Sequence, residues 1–173
     1  MRRVYMFKGF VPDFMFEKFD DITSEFLKEQ NIEFLFIDID NTLAPYEEPT
    51  PNERVVKWFA ALAENGIKSM LVSNNHADRV ELFNAELGLP AHADCGKPLA
   101  GKLKKYAAEI GAVMDRSASI GDQIFTDVWA ARALGARAIV VPPIKDKTNL
   151  FFKFKRWLEK PFIKKYKKLH EEK

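Results

Sequence analysis

From Ile32 to Val141 short apolar runs alternate with amphipathic stretches, a pattern that predicts βαβ units, a parallel sheet and helices on both of its faces. The strand candidates are FLFID at 34–38, IKSMLVS at 67–73, SASIG at 117–121 and AIVV at 138–141. The first is apolar throughout, as a central parallel strand should be, and runs straight into charged residues. Between the strands, Val55, Trp58, Phe59 and Leu62 recur at helical spacing and predict a helix at about 52–64. Asn52 or Thr50 can cap its start and Asn65-Gly66 supplies a left-handed stop. Further helices are predicted at about 77–87, closing at Gly88, at about 99–110, closing at Gly111, and at about 126–134. The expected fold is an α/β three-layer sandwich around a central parallel sheet. Its charged and polar clusters, DIDNT, SNN, GKP and GDQIFTD, fall at the C-terminal ends of strands or just beyond. In an open α/β sheet that edge is where ligands bind.

Composition bounds this picture. The 173 residues, 47% hydrophobic and 30% charged, suit one folded domain over 1–173. That domain carries an N-terminal extension, 1–31, and a basic aromatic C-terminal segment, 145–173. The one cysteine, Cys95, cannot make an internal disulfide, and no leader-like start is visible. No run reaches the roughly 18 apolar residues of a membrane span. A cytoplasmic setting is expected. The net charge of +2 conceals segregation, since residues 145–173 hold 11 Lys+Arg against 4 Asp+Glu.

The chemistry sits in four clusters. Asp38 and Asp40 flank one residue at a strand end, so the two-residue period sends both carboxylates the same way if the strand persists that far. Paired acids resist ionisation unless a cation lies between them, and a hard divalent ion with oxygen ligands is the natural partner. Asp122 and Asp127 follow a second strand, and Lys97 lies between the clusters in sequence. Any one Asp can simply cap a helix; four on one sheet edge point to a site.

DIDNT at 38–42, Ser73 at a strand end, Lys97, and GDQIFTD at 121–127 resemble, in order, the four motifs of the haloacid dehalogenase (HAD) superfamily. FDDITSEFL at 19–27, DIDNTLAPY at 38–46, VSNN at 72–75, GKP at 96–98 and VVPP at 140–143 are similar to the YqeG-like group of HAD subfamily IIIA. The resemblance implies a HAD-like Rossmannoid fold and a Mg2+-dependent phosphatase in which Asp38 attacks phosphorus to form an aspartyl-phosphate. Asp40 would protonate the leaving oxygen and then activate water. It further implies metal ligation by Asp38, Asp40 (whose main-chain carbonyl serves in the family) and Asp122, with Asp127 either a ligand or a residue that orients metal-bound water. Thr42, Ser73, Asn74 and Lys97 are expected at the substrate. Ser73 can give a hydroxyl bond to a phosphoryl oxygen, and Lys97 can neutralise charge on the phosphoryl group and on Asp38. The bland alternatives are caps for Thr42 and Ser73, a solvated charge for Lys97, and turn positions for Asn41, Asn74 and Asn75. His76 is read as a cap or surface residue and Cys95 as inert.

Only 30 residues separate Thr42 from Ser73 and 23 separate Ser73 from Lys97, too few for a cap domain. A capless, open mouth favours large or surface-bound substrates, with small ones possible if an oligomer supplies a lid. A mitochondrial member of the resembled group dephosphorylates phosphatidylglycerophosphate, which by similarity makes a phospholipid head group a candidate substrate. At the C-terminus Phe151, Phe154, Leu158, Phe162, Tyr166 and Leu169 recur at three- and four-residue steps among lysines. Either they form a basic amphipathic helix on an anionic membrane at the inner face, or they pack on the sheet. Pro161 predicts a break or kink near Lys160. A soluble phosphorylated metabolite, a non-catalytic binding module, a dehalogenase and a metal-dependent glycosyltransferase are the competing readings. Nucleic acid is disfavoured, since no known binding fold is visible.

Overall fold

The computed structural model describes residues 8–145 and 150–171. Six parallel strands form one sheet: β1 (Phe14–Met15), β2 (Phe34–Ile37), β3 (Lys68–Val72), β4 (Ala91–His92), β5 (Ser117–Gly121) and β6 (Arg137–Val140). Their order is β1-β6-β5-β2-β3-β4. Chain order therefore runs outward in one direction from β2 through β3 and in the other from β5 through β6, which places a topological switch beside β2.

Period-two alternation divides β2 between two cores. Leu35 and Ile37 face α1 (Ser24–Glu29), α2 (Glu53–Glu64) and α3 (Ala77–Asn84), where Leu27, Trp58, Phe59, Leu62 and Phe83 are buried. Phe36 faces the opposite layer, with Leu103 of α4 (Gly101–Glu109) and Ala130 and Leu134 of α5 (Trp129–Leu134). Helix α2 begins where Asn52 Oδ1 accepts from the Val55 amide at 3.2 Å, the cap its sequence predicts. All four residues of β2 are buried, so the strand reads as a continuous apolar run.

Two departures from the sequence pattern are informative. Strands β1 and β4 have two residues each and are too short to show periodicity. The N-terminal extension is thereby drawn into the sheet. Phe14 and Met15 pair with Ile139 and Val140, and Asp13 accepts from the Ala138 amide at 2.7 Å while forming an ion pair with Arg132.

The second departure is α6 (Leu150–Glu171), one continuous helix with Pro161 inside it rather than two pieces or a break. Proline costs a helix a hydrogen bond. Here tertiary contacts anchor the chain on both sides of it. Before Pro161, the buried Glu159 accepts from the Ile124 amide at 3.0 Å. After it, Phe162 is buried against Val11, Val128 and Val140, and the Tyr166 hydroxyl accepts from the Met15 amide at 3.1 Å.

The aromatic stripe of this helix is accordingly split. Phe162 and Tyr166 pack inward, whereas Phe154 and Leu169 are 57% and 51% exposed and Trp157 is 61% exposed. The side chain of Phe151 lies outside the described residues. No helix among the described residues is long and apolar enough to cross a membrane.

Docking of α6 has a measurable consequence. Phe162→Ala should lower the unfolding free energy by roughly 3 kcal/mol, as truncation of a buried aromatic does. Phe154→Ala should stay within about 0.5 kcal/mol of the parent. Urea titrations of the two variants check this, and equal midpoints would mean that α6 is not held as described.

Candidate active site

Three elements bring the acids together. Asp38 follows β2, Asp122 follows β5, and Asp127 returns from a π-helical turn, Ile124–Val128, that leads into α5. One carboxylate oxygen from each lies within 4.8 Å of the others, and all three residues are buried. π-Turns of this kind reorient side chains locally. This one folds Asp127 back so that its Oδ2 accepts from the Gln123 amide at 3.1 Å.

The fit is close enough to require glycine at the end of β5. A Cβ on Gly121 would lie 2.2 Å from Asp127 Cγ, inside any real contact distance.

Lys97 is the counter-ion. Its Nζ donates to Asp38 Oδ1 at 2.7 Å and to Asp127 Oδ1 at 2.8 Å, with 1% of the side chain exposed. Burial alone would lower the Lys97 pKa, but Asp127 and Asp38 more than offset it and hold the ammonium well above its ordinary value. The backbone of Lys97 is clamped by Asn74, whose Oδ1 accepts from the Lys97 amide at 2.8 Å and whose Nδ2 donates to its carbonyl at 2.9 Å. Burial, reinforced by Asp127 and Asp122, pushes the Asp38 carboxyl up to about 8 despite Lys97. Burial and Asp127 push Asp122 up to about 6 despite Arg156. Raised carboxyls on clustered hard oxygens mark a place where a divalent cation would relieve the stored repulsion, so the donor set fits Mg2+.

A cavity of about 320 Å³ opens on this cluster, lined by Asp38, Asp40, Ser73, Asn74, Lys97 and Asp127 among others. Asp40 is at its wall, but its carboxylate does not join the three acids. Asn75 Nδ2 donates to Asp40 Oδ2 at 3.0 Å and Arg79 Nε to Oδ1 at 3.2 Å. The carboxylates that gather are therefore those of Asp38, Asp122 and Asp127, while the Asp40 side chain is held apart from them. Thr42 lies against the nucleophile candidate. It does not line the cavity and instead donates to Asp38 Oδ2 at 3.4 Å. Ser73 lines the cavity while its Oγ accepts from the Asn75 amide at 3.0 Å.

The asparagines are more than turn residues. Asn41, at φ 65°, exchanges hydrogen bonds with the Lys145 backbone across the chain. His76 lies on the surface beside Asp94, and burial pushes the Cys95 thiol up to about 11, which keeps it unreactive at neutral pH.

Sequence reasoning missed the cations that α6 and α3 contribute. Arg156 pairs with the Asp122 carboxylate, donates to the Asp122 carbonyl at 2.6 Å and bonds Glu159 at 2.8 Å. Lys155 donates to Gln123 Oε1 and, at 2.8 Å, to Thr126 Oγ1, and it lines the cavity together with Tyr46. Arg79 reaches Asp40 from α3. Nothing local distinguished these residues, because Lys155 and Arg156 are two of eleven cations in one basic segment.

Comparison with known proteins agrees with the architecture. A family model described as HAD-hydrolase-like matches residues 94–145, which include Lys97, Asp122 and Asp127. The probable phosphatase YqeG of Bacillus subtilis (strain 168) is 33% identical over 156 residues, covering 90% of this chain and 91% of that protein. The fold is shared with the cobalt-bound deoxy-D-mannose-octulosonate 8-phosphate phosphatase YrbI of Haemophilus influenzae, with a TM-score of 0.54 at 16% identity over 80% of this chain and 91% of that one. It is shared too with CbbY of Rhodobacter sphaeroides in complex with phosphate, with a TM-score of 0.52 at 14% identity over 69% and 90%.

Two outcomes follow from the geometry. Gly121→Ala should displace Asp127 and weaken Mg2+ binding about 10- to 100-fold by calorimetry, as loss of a supporting interaction does at metal sites; unchanged affinity would refute the close approach. The second concerns pH in the presence of chelator. A carboxyl raised on folding contributes stability that is complete below its unfolded pKa near 4 and is lost as pH rises through about 8. Asp38→Asn removes that loss. Its melting temperature relative to the parent should climb between pH 5 and pH 8, and a difference that stays flat would show that Asp38 carries no buried-charge penalty.

Proposed function

This chain belongs to the HAD-superfamily phosphatases that include YqeG, and from that footing we propose a Mg2+-dependent phosphomonoester hydrolase with Asp38 as nucleophile and Asp40 as acid/base. The observation that carries the reading is the buried acid cluster bridged by Lys97, open to a polar cavity with Asp40 at its wall. Asp38, Asp122 and Asp127 are the carboxylates that would hold the cation, with the Asp40 main-chain carbonyl a further donor by resemblance. When bound, the ion supplies charge neutralisation to the phosphoryl oxygens.

The chain's own groups do the rest. An Asp38 carboxylate oxygen forms a bond to phosphorus as the ester P–O bond breaks, and the departing oxygen takes a proton from Asp40. A water then attacks the aspartyl-phosphate and gives its proton to Asp40. The acyl-phosphate P–O bond breaks, releasing phosphate and restoring the Asp38 carboxylate. Both Asp40 oxygens accept hydrogen bonds in the resting arrangement, one each, and each keeps a further lone pair on which a proton can sit. Lys97 balances the carboxylate against the incoming anion, and the Ser73 hydroxyl, already fixed by the Asn75 amide, is placed to donate to a phosphoryl oxygen.

One observation favours a phosphate carried at an anionic membrane over a soluble one. The outer face of α6 exposes Leu150, Phe154, Trp157 and Leu158, flanked by Lys153, Lys160 and Lys164, while the inner face of the same helix lines the cavity. Apolar insertion with lysines at the surface would bring the cavity mouth to lipid head groups, at the cytoplasmic face of the membrane.

Asp38→Asn should abolish phosphate release, and Asp40→Asn should slow it by roughly 10²- to 10⁴-fold. Chelation should stop turnover, with Mg2+ restoring it and Ca2+ doing so poorly because of its looser coordination. Full turnover by Asp38→Asn or in chelator would defeat the mechanism. For the membrane reading, co-sedimentation with anionic vesicles should be strong at low salt and weakened by Phe154→Ala with Trp157→Ala. Vesicles that leave the protein in the supernatant would assign it a soluble substrate.

A further inference from the structure

Among the described residues, every cation at the cluster save one forms an ion pair with a carboxylate. Lys97 holds Asp38 and Asp127, Arg156 holds Asp122 and Glu159, and Arg79 holds Asp40. Lys155 is the exception. Its described partners are the Gln123 side-chain oxygen and the Thr126 hydroxyl, both neutral, and it is half-buried on the wall of the cavity. Glu159, Asp127 and Asp122 also attract the ammonium, but the atoms it bonds are neutral, so its charge is less closely matched than those of Lys97, Arg156 and Arg79 and can meet an anion that enters.

Position decides what that charge meets. In the sheet order β5-β2-β3, Asp38 stands on the central strand. Ser73 and Asn74 leave β3 on one side of it, and the Gln123 to Thr126 turn that seats Lys155 leaves β5 on the other. A phosphoryl group between Asp38, Ser73 and Lys97 therefore has Lys155 across the cavity from Ser73, on the wall of the space that the rest of the substrate must occupy. No insertion between Thr42 and Lys97 is long enough to enclose that part, and α6 stands in its place.

We propose that Lys155 is a specificity residue that binds a second anion, a phosphate, phosphodiester or carboxylate, on the leaving portion of the substrate. The assignment rests on the phosphatase reading, and the test separates the two. Calorimetry in the Asp38→Asn background measures binding without turnover, using a hexose 1,6-bisphosphate, the corresponding 1-phosphate, and a detergent-dispersed phospholipid that carries a phosphomonoester beyond its diester.

Lys155→Gln should reduce the preference for a doubly anionic ligand over the monophosphate about tenfold, the scale of one charge-assisted hydrogen bond. Lys155→Arg should keep most of it. Whether the bisphosphate or the phospholipid shows the loss identifies the source of the second anion, soluble or lipid-borne. Equal weakening for all three ligands, or an unchanged preference, overturns the proposal. Absence of phosphate release by the parent chain with Mg2+ would sink the phosphatase reading, while the affinity ratio still decides Lys155.

Discussion

Three carboxylates cannot be buried side by side as anions unless positive charge is built in among them, and the tertiary structure is arranged around that requirement. Lys97 bridges Asp38 and Asp127, and Arg156 closes on Asp122. Each bridge draws on a different part of the chain. Lys97 comes from the loop between β4 and α4, held by Asn74 beyond β3, and Arg156 comes from the C-terminal helix. The cluster forms only when both have docked. Burial, with Asp127 beside them, leaves Asp38 and Asp122 with raised carboxyls in spite of these cations, so the lysine and arginine reduce the penalty without removing it. What is left over is attraction for a small hard cation.

The two ends of the chain serve this site as well as the core. Residues from Val11 to Met15 and the helix α6 bury Phe162 and Tyr166 against the sheet, and that packing carries Lys155, Arg156 and Glu159 to the loop after β5. A site without a cap thus acquires a wall from the C-terminus. The helix divides its chemistry by face, with Lys155 turned to the cavity, Arg156 to Asp122, and Phe154, Trp157 and Leu158 to solvent. A basic aromatic segment need not be wholly core or wholly exposed; this one buries Phe162 and leaves Phe154 and Trp157 in solvent.

Local pattern was enough for much of the molecule, because strand and helix periodicities depend on near neighbours. FLFID as the central strand, the helix from Asn52 to Asn65, SASIG as β5 and the crowding of acidic motifs on one sheet edge were all readable from spacing. So was the pairing of Lys97 with the acids, through its resemblance to an ordered motif set. Two-residue edge strands carry no period, and a proline in α6 suggested an interruption that packing on either side prevents.

By itself, then, the sequence determined the fold class and the sheet edge that carries the acidic motifs, since both follow from periodicity along a few consecutive positions. The tertiary structure alone decided which side chains meet. It turned the Asp40 carboxylate to Asn75 and Arg79, drew Asp127 into the cluster through a π-turn that glycine at 121 makes possible, and set Thr42 beside Asp38 instead of in the cavity. It also singled out Lys155 and Arg156 from a segment of similar cations. The physical reason is that ion-pair partners are chosen by approach in space. Arg156 and Asp122 are 34 positions apart, and no local period relates them.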